Sequence, residues 1–247
     1  MTSKLLRRCA PLAFVLALST SGCAVFRTPP PLTPETAYAR GMEAYQAKRY
    51  GRAAELLQSW ADASAGDPRF PAGLLALGRA RMETGEYLLA ANSLLRVVTD
   101  FPTSPQQEEA RFGVCEAYHS LSPRAALDQQ NTETALLYCG SYAEYYPTTA
   151  RSDRARRWVA ELRDKLARKS YDAGMWYFRR GAYDASVIYF QRAAAEYPET
   201  PTAPLAILQM ALAYDRVGYK EEAAEARTRL RQNYPQSAEA RSLPPAS

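Results

Sequence analysis

The chain has 247 residues, 47% of them hydrophobic and 23% charged, with four cysteines and a single histidine, His119. Lys4, Arg7 and Arg8 supply three of its 31 basic residues and no acidic residue precedes position 23, so the formal charge of +5 falls to 28 basic against 26 acidic, or +2, beyond that point. That balance excludes a general electrostatic case for nucleic acid, and one histidine removes most metal and acid–base constellations.

No HExxH, CxxC, GxSxG, GxGxxG or P-loop pattern is present. Adjacent acidic pairs such as Glu108–Glu109 and Glu221–Glu222 point in different directions on helices, so they read as solvated faces rather than paired catalytic carboxylates. The expectation is a protein that is not an enzyme and takes no metal and no cofactor.

Residues 1–22 read as an export signal. Lys4, Arg7 and Arg8 form a positive stretch, and Cys9 to Leu18 is an apolar run of about ten residues, too short to span a bilayer. Ser19-Thr20-Ser21-Gly22 then sets small residues directly before Cys23. The pattern resembles a bacterial lipoprotein signal, which implies that Cys23 becomes the first residue and carries lipid, palmitate included. Ala24 after it implies sorting to the outer membrane. An ordinary secretory signal cleaved nearby is the alternative, and either way the chain is exported. Residues 23–34, with Pro29, Pro30, Pro31 and Pro34, form a proline-rich linker; at about 3.1 Å per residue, Ala24 to Pro34 span roughly 30 Å.

Five amphipathic helical pairs are predicted next. The first three occupy residues 35–149 and run from about Glu35 to Ala63, from Pro71 to Phe101, and from near Pro105 to Tyr146. Thr33 or Thr36 caps the first helix, with Pro34 in its first turn. The third pair is interrupted by a loop around Ser122-Pro123, and its second helix resumes at Thr132. Residues 150–238 hold a long basic linking helix, Ser152 to Lys169, expected to run on toward pair four, and then pairs four and five, which end at Tyr197 and Tyr234. Residues 239–247 are expected to be a disordered tail. Two-residue alternation is nowhere sustained, so no sheet is expected: the fold class is all-α, an α-solenoid.

Two repeats within the sequence support this layout. Phe101-Pro102, Tyr146-Pro147, Tyr197-Pro198 and Tyr234-Pro235 close successive pairs, with the prolines 45, 51 and 37 residues apart, a spacing typical of stacked helical repeats. Tyr38, Gly41, Met42, Tyr45, Tyr50 and Ala53 match Tyr171, Gly174, Met175, Phe178, Tyr183 and Ser186 at an offset of 133. The first four positions of each copy lie on one helix face. Ala53, Ala90, Ala135, Ser186 and Ala223 are placed where the second helix crosses the first, since small side chains permit a short interaxial distance. Core packing is the plain reading of the aromatics.

Cys115 and Cys139 fall on the two helices of pair three, 24 residues apart. In an oxidising compartment they either bridge those helices or remain two separate buried thiols. Arg151, Arg154, Arg156, Arg157, Arg163, Lys165, Arg168 and Lys169 crowd the linking helix, diluted by Asp153, Glu161 and Asp164. This is either a solvated face or a docking face for an acidic partner or phospholipid headgroups.

The unit resembles the tetratricopeptide repeat. The lipoprotein cysteine, the proline-rich linker and five such units together resemble the BamD (ComL-like) lipoproteins of the outer-membrane β-barrel assembly machinery. The resemblance is carried by Leu127-Asp128-Gln129-Gln130-Asn131-Thr132 after the interrupted third unit and by Tyr146-Pro147 leading into the arginine-rich helix. Arg180-Gly181-Ala182-Tyr183-Asp184-Ala185 before Tyr197-Pro198-Glu199-Thr200 adds to it, and the whole covers roughly Pro34 to Ser237.

The resemblance implies a lipid-anchored scaffold on the periplasmic face of the outer membrane. Its C-terminal units would dock onto the POTRA domains of a BamA-like insertase, with Arg154, Arg157, Arg168, Arg179 and Arg180 as candidate contacts. Its N-terminal units would receive segments of unfolded outer-membrane proteins, with Glu43, Gln46, Glu83, Glu116 and His119 as candidate groove residues. A repeat lipoprotein acting as a pilotin in secretin assembly, or another periplasmic envelope adaptor, is the alternative.

Overall fold

The computed structural model describes residues 32–244, and every regular element among them is an α-helix. The helices run α1 (Pro34–Gln46), α2 (Tyr50–Ala63), α3 (Phe70–Glu83), α4 (Tyr87–Asp100), α5 (Gln107–Leu121), α6 (Gln130–Tyr145), α7 (Ala150–Phe178), α8 (Tyr183–Glu196), α9 (Thr202–Val217), α10 (Lys220–Asn233) and α11 (Ala238–Arg241). Cys23 and nearly all of the proline-rich linker lie outside the described residues.

Local chemistry sets the ends of these helices. Thr33 Oγ1 accepts the Thr36 amide at 3.3 Å and starts α1, and Thr149 does the same for Ser152 at 3.1 Å to start α7. Asp128 Oδ1 accepts the Gln130 amide at 3.0 Å, so α6 begins two residues before Thr132. Phe101, Tyr146, Tyr197 and Tyr234 share one backbone conformation, with φ between −127° and −134° and ψ between 51° and 64°. Each precedes a proline, whose ring bars its neighbour from the helical region. The repeated aromatic-proline pair is therefore a stop signal for α4, α6, α8 and α10.

Successive helices pack as antiparallel hairpins, α1 with α2 through α9 with α10. Ala53, Ala90, Ala135, Ser186 and Ala223 are all fully buried at the crossings. Each first helix also touches the next first helix, α1–α3, α3–α5, α5–α7 and α7–α9, while no second helix approaches its counterpart. The first helices thus form a continuous inner layer and the second helices splay behind it. This is the arrangement of a tetratricopeptide-like α-solenoid.

The linking helix runs on into pair four. α7 is a single 29-residue helix whose N-terminal half packs on pair three through Ala155 and Trp158. Its C-terminal half is the first helix of pair four, with Tyr171, Met175 and Phe178 against Phe190 and Ile207. Arg163 pairs with Glu199 and Asp164 Oδ1 accepts the Thr202 hydroxyl at 2.6 Å, while Lys165 donates to Ser122 Oγ at 2.8 Å and Lys169 to the Leu127 carbonyl at 2.6 Å. The basic residues at the middle of α7 therefore fasten it to elements on both sides.

The chain beyond residue 238 is not all tail. Ser237 Oγ accepts the Ala240 amide at 3.0 Å and nucleates α11, Ala240 is buried, and Leu243 packs on the cluster around Ile207 and Leu230. A single turn that buries Ala240 and half-buries Leu243 covers the last hairpin's end, a cap that a count of charged and small residues does not reveal.

Candidate functional site

The inner layer carries a repeating register. Met42, Arg79 and Glu116 follow one another at 37-residue steps on α1, α3 and α5, as do Tyr45, Met82 and His119. At this level the helices are tied by charge. Glu116 Oε2 accepts Arg79 Nη1 at 2.7 Å and its Oε1 accepts Arg154 Nη2 at 2.9 Å, so one carboxylate joins α3, α5 and α7. Arg79 also reaches Glu109 at 3.2 Å. The Arg154 guanidinium lies 4.5 Å over the Trp158 ring, and Trp158 stacks on Phe112 and on His119, at 5.6 and 4.4 Å.

Of the expected groove residues, Gln46 and Glu83 are exposed at the C-terminal ends of α1 and α3. Glu116 and His119 sit on the same layer but are half-buried and engaged internally. His119 Nε2 lies 3.5 Å from Glu161 Oε2 without forming a hydrogen bond, and burial holds the imidazole below its ordinary pKa against the opposing pull of Glu161. Glu43 is on the wrong side. It pairs with Arg49 at 3.4 Å in a hollow shared with Arg52 and Leu56 of α2, one helical position away from the Met42 stripe that faces α3.

The candidate docking arginines divide in the same way. Arg154 is committed to Glu116 and Trp158, Arg168 lies 3.9 Å from Asp164, and Arg180 lies 3.6 Å over the exposed Trp176. Arg157 and Arg179 are exposed. The helix that looks basic in sequence is thus largely an internal bracket: Arg151 also pairs with Glu108 at 2.6 Å and Arg163 with Glu199. A sum of charges along one helix misses this, because the acidic partners lie 36 to 43 residues away.

Sequence reading also missed Arg79, which the 37-residue register with Glu116 would have found. It missed two hollows beside the layer. One, of about 250 Å³, is lined by Leu95, Val98, Val114 and the exposed Leu137 between α4 and α6. The other, of about 390 Å³, is lined by Glu133 of α6, Lys169 of α7, and Tyr189 and Arg192 of α8. Among the described residues no group of three His, Cys, Asp or Glu side chains is placed to hold a metal, and no helix is long and apolar enough to cross a membrane. Along the layer, methionine and aromatic side chains such as Met42 and Tyr45 pack against the core beside it, and the charged ones are largely paired with one another.

The model of the family described as "YfiO: Outer membrane lipoprotein" matches residues 30–230. A curated relative, "Outer membrane protein assembly factor BamD" of Caulobacter vibrioides, is 25% identical over 162 residues, 66% of this chain and 53% of the relative. The chain therefore spans about half the length of that relative. Among solved structures, "MamA MSR-1 C2" is 20% identical with a TM-score of 0.35, covering 83% of this chain and 98% of its own. The "TPR2AB-domain:pHSP90-complex of yeast Sti1" is 17% identical with a TM-score of 0.41, covering 84% and 80%. Likenesses this loose carry no functional argument.

Proposed function

This chain belongs to the YfiO outer membrane lipoprotein family, and from that premise we propose that it is a lipid-anchored scaffold of outer-membrane β-barrel assembly. In this reading Cys23 carries the lipid and the body stands at the periplasmic face. The inner layer of α1, α3 and α5 receives segments of unfolded outer-membrane proteins, and the units built on α7 to α10 dock on the POTRA domains of a BamA-like insertase. The observation that carries the reading is the family match across residues 30–230, which reaches from the start of α1 into the last turn of α10. The continuous inner layer supports it physically, since stacked first helices present a long face suited to an extended chain.

The test is a crosslinked pull-down from membranes with mass spectrometry of the captured partners, run beside a Cys23→Ser variant. The expected result is capture of a large outer-membrane barrel protein, with the variant folded but released from the membrane fraction. Capture of a secretin in place of a barrel insertase would overturn the assignment, and sedimentation of the variant with outer membrane at high salt would overturn the anchor.

A further inference from the structure

We propose that the Cys115–Cys139 disulfide takes the place of the tight turn that closes the other hairpins, so that the third unit is completed only where thiols are oxidised. Gly41, Gly78 and Cys115 occupy one register, 37 residues apart. In pairs one, two and four the second helix lays a large side chain directly on the glycine. A Cβ built on Gly41 would stand 2.8 Å from Leu57 Cγ, one on Gly78 2.5 Å from Leu94 Cγ, and one on Gly174 2.6 Å from Phe190 Cε1. In pair three both members of the contact are replaced. Cys115 faces Cys139 across a Cα–Cα distance of 4.7 Å, bonded sulfur to sulfur, and both residues are fully buried.

The same hairpin has lost its turn. Pairs one, two, four and five each close through a left-handed residue, Lys48, Gly85, Gly181 or Gly218, and among the described residues pair three has none. Residues 122–129 run there instead. Lys165 and Lys169 hold this loop against α7, and across its mouth only the Ser122 and Thr132 hydroxyls, 2.7 Å apart, tie the end of α5 to α6. A longer closing loop gives up more chain entropy before the helices can pair. A covalent link at the helix crossing removes that freedom from the open chain. The unit that lacks the turn is the unit that carries the link.

The chemistry is thiol–disulfide exchange with a disulfide-donating oxidoreductase or small disulfide of the export compartment. One thiolate attacks the donor disulfide, the second displaces the donor from the mixed disulfide, and two protons and two electrons leave as the donor becomes a dithiol. Since neither sulfur is exposed in the finished hairpin, exchange precedes closure. Without the link α5 loses its register, and with it the joint from Arg79 through Glu116 to Arg154.

The test unfolds one preparation of the full chain and refolds it with a small disulfide or with dithiothreitol, then counts alkylated thiols by mass and follows protease cutting within residues 122–129. The oxidised chain should show two fewer alkylated thiols and be cut about tenfold more slowly, and a Cys115→Ala/Cys139→Ala variant should be cut at the reduced rate under both conditions. A Cys115→Gly/Cys139→Leu variant restores the glycine contact without the covalent link. It too should be cut at the reduced rate. Equal cutting of the oxidised and reduced chains, no difference in thiol count, or full protection of the glycine–leucine variant would each overturn the proposal.

Discussion

Lys48 holds the turn position that Gly181 holds 133 residues later, and both are left-handed, with φ of 57° and 74°. Glycine adopts that region freely, whereas a Cβ meets the following carbonyl. In pair one the backbone follows the shared hairpin geometry against the preference of its residue. Lys48→Gly should therefore stabilise the body by about 0.5–1 kcal/mol, read as a higher urea midpoint at unchanged slope. A lower midpoint would show that the lysine side chain makes a compensating contact.

Two glycines separate packing from backbone cost. The Cβ of an alanine at position 174 would sit 2.6 Å from a Phe190 ring carbon, whereas one at position 140, within α6, meets nothing within 4 Å. Gly174→Ala should destabilise by about 1–3 kcal/mol through forced repacking. Gly140→Ala should stabilise by up to about 1 kcal/mol through helix propensity alone. Opposite shifts in the thermal midpoints of these two variants are the check; a shared direction would mean the close approach of α7 and α8 is soft.

The hairpins were legible in sequence because their punctuation is local. Tyr197-Pro198 halts a helix by the sterics of adjacent residues, and Ala90 or Ser186 marks a crossing by its size. The continuity of α7 was only half legible, since nothing in Lys169-Ser170-Tyr171 breaks a helix yet no residue there announces that one helix serves two hairpins. The surface was read least well. Glu116 and Arg154 look like free charges until a 38-residue separation is closed in space, and Glu43 missed the inner layer by one position, a rotation of about 100° around a helix. The link between Cys115 and Cys139 depended on an interhelical distance that spacing does not supply.

Acid should loosen the first helix. Arg69 binds Asp67 through Nε and Nη2 at 2.9 and 2.6 Å and grips Glu35 of α1 through Nη1 and Nη2 at 2.9 and 2.7 Å. The hydrogen bonds from Arg69 hold Asp67 down to about 2 from an ordinary 3.8 and lower Glu35 as well. A depressed carboxylate contributes stability above its unfolded pKa and loses it as pH falls through the folded one. Amide-exchange protection of α1 should hold at pH 5 and fade between about pH 4 and 2. An Arg69→Met variant should lose that protection at neutral pH, and carboxyl titration by NMR should return Asp67 toward its ordinary value. Unchanged protection across this range would place the hold on α1 in the Tyr38–Trp60 stack, with rings 4.7 Å apart, rather than in the ion cluster.

Glu116 decides whether the inner layer is a receptor edge or a structural joint at that point. With Arg79 and Glu116 only 17% and 20% exposed, their contact is shielded enough to count toward stability, unlike a surface pair. Glu116→Gln keeps the shape and removes the charge that two guanidiniums share, and should cost about 1–2 kcal/mol. In an Arg79→Ala/Glu116→Ala cycle the coupling should be about 1 kcal/mol, because each single deletion removes the same ion pair and the double deletion removes it only once. Gln46→Ala and Glu83→Ala, at the exposed C-terminal ends of α1 and α3, should leave the thermal midpoint unchanged while weakening binding of an unfolded outer-membrane protein segment. If Glu116→Gln instead leaves the midpoint in place and lowers only that affinity, the carboxylate is a client contact, and the joint between α3, α5 and α7 rests on the Phe112–Trp158–His119 stack.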